Sequence, residues 1–317
     1  MKKSILIACL GLVSLGLQAQ SISLAGEWNV EFGKSGSAFA KSKRASQGEV
    51  KRAILPGTID TNHLGFAPKD TMETTHLTRL YAYKGAARYS RTINIPKDWK
   101  KKPVELFLER TRPTWVYVDG ELVDSCNFIS TPQRYLLPKK VKPGKHLLEI
   151  VVDNGRGVPE QVYGSSHAYT EDTQTNWNGI IGRIELQLVS SVESKYAETL
   201  TGTIPSRSVV SPSALQMPDF AKDFHIEGAH FYADGHPVFL RGKHDAAVWP
   251  LTGHVEMSVE GWMKYLGTCK EYGINHVRFH SWCPPEAAFV AADSLGIYLQ
   301  PELPFWGTIA AKAEDGY

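Results

Sequence analysis

The stretch GINHVRFHSW, residues 273 to 282, decides how the second half of the chain folds. Its apolar residues alternate with His276, Arg278 and His280, which predicts a β-strand with one apolar and one polar face. A strand of an open parallel sheet, covered by helices on both sides, is apolar on both faces. The alternation therefore favours a strand of a (β/α) barrel, where functional groups lie at the carboxyl ends of the strands.

The segments around this stretch predict alternating strands and helices. Ser258 is the expected N-cap of a helix over residues 259 to 272, and Gly296 is expected to end a second helix over residues 285 to 295. Strands are predicted over residues 238 to 242, 274 to 280 and 297 to 303. This order is typical of a parallel β/α arrangement.

Residues 24 to 188 have a different character, with β-rich runs separated by Gly, Pro, Asn or Asp. No convincing amphipathic helix interrupts these runs. Asp119-Gly120, and Asp234-Gly235 further along, predict tight hairpin turns because glycine accepts a positive φ. The pattern predicts an all-β sandwich or jelly roll, and the Ser, Thr and Pro content of residues 199 to 218 predicts a linker after it.

The first 19 residues are typical of a secretory signal peptide. Lys2 and Lys3 precede an apolar run over residues 5 to 17, which is too short to span a bilayer, and Ala19 suits cleavage. We therefore expect a periplasmic or secreted protein without a stable membrane anchor. Removing the two lysines from the 35 Lys and Arg balances the 33 Asp and Glu, which argues against nucleic acid as a partner. The sequence does not indicate an oligomeric state.

Several motifs together resemble glycoside hydrolase family 2. They are HPVFLRGKHD, YGINHVRFHSWCPPEAAFVAADSLGIYLQPEL, RYSRTINIPKDW, VYVDGELV and WNGIIGRIEL. The resemblance implies a multidomain β plus α/β protein, a jelly-roll β-sandwich followed by an incomplete (β/α)8 TIM barrel. The implied parts are a signal peptide over 1–19, a galactose-binding-like jelly-roll sandwich over 20–192, a linker over 193–223 and the first three barrel strands over 224–317. The immunoglobulin-like sandwich that this family usually inserts has no room between Leu188 and Phe224.

The family hydrolyses O-glycosidic bonds with exo-acting, retaining β-glycosidases such as β-galactosidases and β-glucuronidases. The resemblance implies an oligosaccharide or polysaccharide-derived glycan as substrate, and we expect no cofactor and no metal. A retaining glycosidase needs two carboxylates about 5 Å apart. The family's acid/base glutamate lies after its fourth barrel strand and its nucleophile lies on its seventh, and we expect both beyond Tyr317. The chain is therefore expected to be an N-terminal fragment that is inactive alone.

The resemblance also implies a set of residues that shape the sugar pocket. The predicted substrate-binding residues are His244, Asp245, Arg278, His280, Trp282, Glu302 and Trp306. Apart from His280, these residues have structural alternatives. Glu302 could serve only as an ion-pair partner of Arg278, each tryptophan could plug the barrel mouth, and the two residues after the first strand could lie in a solvated loop.

Two other classes of function remain open from the residues alone. A metal-dependent hydrolase could use His244, His276 and His280 as ligands, although Arg278 on the same face would repel a cation. A non-catalytic carbohydrate-binding protein is the second class, because a sandwich domain alone can recognise a glycan.

Overall fold

The computed structural model describes residues 21–33, 49–67, 72, 74–75, 77–171, 175–189 and 223–307. The expected signal peptide and nearly all of the expected linker lie outside these residues. None of the helices within the described ranges is long and apolar enough to cross a bilayer.

The described residues before 190 form two antiparallel β-sheets. Their strands are β1 Ser21–Ser23, β2 Gly26–Gly33, β3 Lys51–Leu55, β4 Gly57–Thr58, β5 Ala86–Ile95, β6 Val104–Thr111, β7 Thr114–Val118, β8 Glu121–Cys126, β9 Gln133–Leu136, β10 Gly144–Asp153 and β11 Gly179–Leu188. One sheet has the order β3-β2-β5-β10-β7-β8. The other has the order β1-β11-β6-β9, with β4 also paired to β11.

One apolar core joins the two sheets. Strands of both sheets contribute to it, among them Trp28 of β2, Tyr89 of β5, Leu106 of β6, Ile150 of β10 and Ile184 of β11. Burying one large apolar side chain stabilises a fold by roughly 1.5–3 kcal/mol. This core is therefore the main source of stability for the sandwich.

Residues 223–307 form a hairpin sheet followed by a parallel sheet with two helices. The elements are β12 Phe224–Glu227, β13 His230–Ala233, β14 His236–Val238, β15 Gly242–Asp245, a helix Val259–Glu271, β16 His276–Phe279, a helix Glu286–Leu295 and β17 Tyr298–Gln300. Strands β12 to β14 are antiparallel, whereas β15, β16 and β17 are parallel neighbours in that order. The predicted strand over 238 to 242 is wrong in its bounds, because the hairpin ends at Val238 and parallel pairing begins at Gly242.

Both predicted Asp-Gly turns are confirmed. The φ angles are 52° and 78° at Asp119 and Gly120, and 47° and 77° at Asp234 and Gly235. Positive φ at both central residues is the type I′ geometry, whose twist matches that of the flanking strands.

The helix ends were predictable, but two short helices were not. The first helix of the parallel unit is capped by Ser258, whose Oγ accepts a hydrogen bond from Gly261 N at 3.0 Å. Gly296 ends the second helix in the left-handed conformation, with φ 70°. The sandwich carries a short helix over Glu160–Ser165 and a 3-10 helix over Lys97–Trp99, where an uninterrupted β pattern was predicted. We number the α-helices α1 (Glu160–Ser165), α2 (Val259–Glu271) and α3 (Glu286–Leu295).

The parallel unit packs directly on the sandwich. Trp177 and Ile181 of the sandwich belong to the same buried cluster as Trp262 of α2 and Phe279 of β16. This contact brings the loop after α1 to the carboxyl ends of the parallel strands. The described chain is thus rich in β-structure with few helices, as the sequence predicts.

Candidate functional site

The register of the parallel strands places polar side chains side by side. His244 of β15 lies opposite Arg278 of β16, and Arg278 lies opposite Gln300 of β17. Between them, Val277 and Phe279 are buried on the other face of the sheet. The alternation in the sequence therefore becomes one apolar and one polar face, and the polar face ends beside the sandwich loop.

Arg278 and Glu302 form an ion pair at this end of the sheet. Arg278 Nε lies 2.7 Å from Glu302 Oε1, and Ser281 N donates to Glu302 Oε2 at 2.8 Å. Burial opposes the charge on Glu302, but the Ser281 N–H and the Arg278 guanidinium outweigh it and lower the pKa of Glu302. The side chains are 43% and 25% exposed, so water screens the pair and its contribution to stability is small.

Three histidines meet next to this ion pair. His167 Nε2 lies 2.8 Å from His280 Nδ1, and one ring nitrogen from each of His167, His244 and His280 lies within 4.8 Å of the others. His244 and His280 were predicted site residues. His276, a member of the histidine set considered from the sequence, is not in this group, and its side chain hydrogen-bonds Gln300 instead.

Sequence reasoning missed His167. It lies in the loop after α1, in the sandwich, 113 residues from His280 along the chain. No local pattern in GSSHAY marks this histidine, because it joins the site only when the parallel unit packs on the sandwich.

Ser281 holds the two parts of the site together. Its hydroxyl accepts a hydrogen bond from His167 N at 2.9 Å, and its carbonyl accepts one from Ser166 Oγ at 2.8 Å. Its own N–H binds Glu302. Ser281 has φ 52°, a left-handed conformation that is uncommon for a residue other than glycine.

Burial and the positive charge of neighbouring groups favour the uncharged forms of His167 and His280. Burial, followed by the nearby His280 and His244, lowers the pKa of His167 to about 4. Burial, Arg278 and His244 also lower the pKa of His280. At neutral pH both rings therefore combine one N–H donor with one nitrogen lone pair.

Buried Arg112 fixes the loop that carries His167. Its guanidinium lies between the rings of Tyr169 and Trp177, 4.5 and 4.2 Å from their centroids, and donates to the Ala168 carbonyl at 2.5 Å. Burial lowers the pKa of Arg112 to about 9. Arg112 still carries its charge at neutral pH, and its stacking and hydrogen bonds hold both ends of the loop.

No protein-family model matches the sequence, and no curated protein matches it. Solved structures do match. A β-glucuronidase from Faecalibacterium prausnitzii superposes with a TM-score of 0.61 at 14% identity, over 90% of this chain and 60% of that one. A GH2 β-galacturonidase from Eisenbergiella tayi, bound to galacturonate, gives 0.60 at 14% identity, over 90% and 58%. A β-glucuronidase from Ruminococcus gnavus gives 0.61 at 14% identity, over 90% and 59%.

The chain has a GH2-like fold. The resemblance noted in the sequence is therefore confirmed for the fold. The chain spans about three fifths of the length of these solved structures.

The other predicted site residues differ in what they offer a ligand. Trp306 is 60% exposed, and its ring centroid lies 5.2 Å from that of His280. Trp282 is 2% exposed and donates from Nε1 to the Asp245 carbonyl at 3.1 Å, so its ring supports the site from below. Asp245 is also buried, and its carboxylate binds Lys243, the Tyr265 hydroxyl and a backbone N–H.

In chemical terms, this end of the GH2-like fold offers an exposed indole face, uncharged imidazoles and a guanidinium–carboxylate pair. Such groups can stack on a sugar ring and exchange hydrogen bonds with its hydroxyls. The imidazoles can also bind a metal ion.

Proposed function

We propose that the chain forms the sugar-binding part of a glycoside hydrolase that acts on O-glycosyl compounds. In this proposal residues 20–192 are a jelly-roll sandwich, 193–223 a linker and 224–317 the first three strands of a TIM barrel, preceded by a signal peptide over 1–19 that directs it to the periplasm or outside the cell. The observation that carries the proposal is the GH2-like fold over 90% of the chain, with the Arg278–Glu302 pair at the strand ends.

The proposed ligand is the terminal sugar of a glycan, bound at the polar end of the parallel sheet. Trp306 stacks on the apolar face of the sugar, while His244 and His280 exchange hydrogen bonds with its hydroxyls. The solved structures with this fold include β-glucuronidases and a β-galacturonidase, so β-glucuronides and β-galacturonides are the first sugars to test, followed by β-galactosides.

We propose that this chain alone binds glycan without hydrolysing it. Retaining hydrolysis needs a nucleophilic carboxylate and a proton-donating carboxylate about 5 Å apart. Among the described residues, Asp245 and Glu302 are the carboxylates that interact electrostatically with His167. Each already accepts several hydrogen bonds, and the lowered pKa of Glu302 does not suit a proton donor. The proposed roles of Asp245 and Glu302 are therefore to position neighbouring groups.

A non-catalytic carbohydrate-binding protein is the second candidate function. The hydrogen bonds that Asp245 and Glu302 already accept favour it, because they leave neither carboxylate available for catalysis. Turnover in the whole protein that contains this chain would exclude it.

Sugar titration by calorimetry tests the binding site. We expect the chain to bind glucuronate, galacturonate or galactose, and the Trp306→Ala variant to lose about 1–3 kcal/mol of binding free energy, as stacked aromatic side chains do. Tyr272→Ala is the matched control, since Tyr272 is an 83% exposed aromatic residue at the end of α2, outside the site. Unchanged affinity in Trp306→Ala would rule out the stacking surface.

Nitrophenyl β-glycosides test the absence of turnover. We expect no release of nitrophenol by the purified chain. Hydrolysis that disappears in Glu302→Gln but persists in Glu27→Gln would make Glu302 a catalytic residue and overturn the positioning role. Glu27 is a suitable control because it also pairs with an arginine, Arg52, at 2.9 Å.

A further inference from the structure

We propose that His167, His244 and His280 bind a divalent transition metal ion such as Zn²⁺. The three ring nitrogens come from three separate segments, the loop after α1, strand β15 and the residue that follows β16, yet lie within 4.8 Å of one another. This site shares His244 and His280 with the proposed glycan site, but the inference does not rest on glycan binding, because it requires only the three imidazoles.

The distances suit an ion held by imidazoles. Zinc binds histidine nitrogen at about 2.0–2.1 Å, so two ligand nitrogens of a tetrahedral ion lie roughly 3.3 Å apart. His167 Nε2 and His280 Nδ1 are 2.8 Å apart and must separate slightly. His244 is exposed, so its side chain has room to rotate toward the other two.

Proton balance does not oppose binding. The contact between His167 Nε2 and His280 Nδ1 is a hydrogen bond in which one nitrogen carries the proton. When an ion replaces this proton, the proton moves through water to the other nitrogen of the same ring. Both imidazoles then coordinate through lone pairs, remain neutral and release no net proton.

The main chain already holds the ligands in place. His167 N donates to Ser281 Oγ at 2.9 Å, beside His280. His280 N donates to the Asp245 carbonyl at 2.9 Å, directly after His244. The backbones of His167 and His280 are thus each hydrogen-bonded to a residue next to another ligand. Such bonds limit the movement of the ligands relative to one another, which favours a metal site.

Arg278 does not prevent cation binding. Its positive charge near His280 was the argument against a metal in the sequence. Arg278 Nε lies 2.7 Å from Glu302 Oε1, so the carboxylate offsets part of the guanidinium charge beside the site.

The ligand set also indicates the class of ion. Imidazole nitrogens suit Zn²⁺, Co²⁺, Ni²⁺ and Cu²⁺, whereas Mg²⁺ and Ca²⁺ prefer oxygen ligands. Three protein ligands leave a fourth position of a tetrahedral ion open to water or to an oxygen of a bound molecule. The exposed ring of Trp306 lies next to one of the three ligands, with its centroid 5.2 Å from that of His280.

Titration of the full chain with Co²⁺ and Zn²⁺, without a histidine tag and after chelator treatment, tests the site. We expect one equivalent of Co²⁺ to produce the visible absorption bands of a four-coordinate ion and one equivalent of Zn²⁺ to abolish them. We expect His244→Gln to weaken metal binding by about 100-fold. Losing a ligand should cost at least as much affinity as losing a residue that only hydrogen-bonds to a ligand. His236→Gln, at an exposed histidine of β14, is expected to bind like the parent chain.

His280→Gln is a second test of the ligand set, and circular dichroism checks that each variant is folded. If buried His167 or half-buried His280 cannot be replaced without unfolding, His244→Gln decides, because exposed His244 is not part of the core. Failure to saturate at one equivalent, or equal binding in parent and His244→Gln, would overturn the metal site. Sugar titration in the presence of a chelator separates this result from failure of the glycan proposal.

Discussion

At the scale of single residues, two hydrogen-bond acceptors favour the doubly protonated form of His146. Its Nδ1 lies 2.6 Å from Asp119 Oδ2, and its Nε2 lies 2.6 Å from the Lys142 carbonyl oxygen. Both partners are acceptors, so both ring nitrogens donate only when the ring is an imidazolium. Burial lowers the pKa of His146, but these two hydrogen bonds outweigh it and the pKa is raised.

This arrangement predicts a pH-dependent contribution to stability. Because the folded-state pKa of His146 lies above its model value of 6.5, the contribution is complete below about pH 6.5 and is lost as the pH rises through the folded-state pKa. We expect Asp119→Asn to lower the pKa of His146 and to lower the melting temperature more at about pH 5 than at about pH 8.5. NMR titration of the imidazole measures the pKa.

Asn is the appropriate replacement because it tolerates the left-handed turn and can still accept the hydrogen bond from Leu147 N that Asp119 Oδ1 accepts at 2.9 Å. An unchanged pKa of His146 in Asp119→Asn would contradict the assignment.

At the scale of secondary-structure elements, one glycine in α2 and one just after it separate the effect of backbone conformation on stability from that of side-chain contacts. Gly267 lies in the helix, and Gly273 follows it with φ 75°. A Cβ added at either position would meet no atom within 4 Å. Side-chain contacts therefore do not determine whether alanine stabilises or destabilises the protein at these positions. The backbone conformation determines it.

We expect alanine to have opposite effects at these two positions. Gly267→Ala is expected to stabilise the protein by about 1 kcal/mol, the difference in helix propensity. Gly273→Ala is expected to destabilise it by about 1–2 kcal/mol, because Cβ disfavours the left-handed conformation. Chemical denaturation followed by circular dichroism measures both, and the same sign for the two variants would contradict the argument.

The elements also show which sequence signals were sufficient. Asp119-Gly120, Ser258 and Gly296 act within four residues of the chain, so their turns, cap and helix end were predictable. The bounds of the strand near Gly242 were not, because the apolar run Val238 to Leu240 lies before it, whereas its paired residues, Gly242–Asp245, include no apolar side chain. Helix α1 was not predictable for a related reason, as its six residues are too few for a helical period and none is buried.

At the scale of the whole molecule, the shared cluster around Trp177 ties the parallel unit to the sandwich. The ring of Trp177 is 3% exposed, and the neighbouring Arg110 donates to the Cys283 carbonyl at 2.8 Å across the same boundary. The two units are therefore expected to remain associated after the chain between them is cut.

Limited proteolysis followed by gel filtration tests this expectation. We predict a first cut near residues 190 to 220, after which both pieces elute together and separate only in denaturant. Trp177→Ala removes a buried aromatic side chain, which costs roughly 3–5 kcal/mol, and is expected to release the second piece. Trp115→Ala, on the far sheet of the sandwich, is the control and is expected to leave the pieces together.

Packing between the two units also explains why the place of His167 in the site could not be predicted from the sequence. Arg278 lies in β16 and Glu302 lies two residues after the neighbouring strand β17, so their contact follows from strand order. His167 joins His280 across 113 residues through packing between the two units, which no local pattern encodes. The ligand-binding roles of the predicted site residues stay predictions.

The conformation of Ser281 also limits which residues evolution can place there. Its φ of 52° is compatible with glycine, asparagine or aspartate but disfavours β-branched side chains, including threonine. The hydrogen bond from His167 N requires a side-chain oxygen that accepts, which serine, asparagine and aspartate supply and glycine does not. A library of all amino acids at position 281, selected for a folded protein that retains the histidine cluster, is therefore expected to return serine, asparagine and aspartate and to exclude threonine and valine.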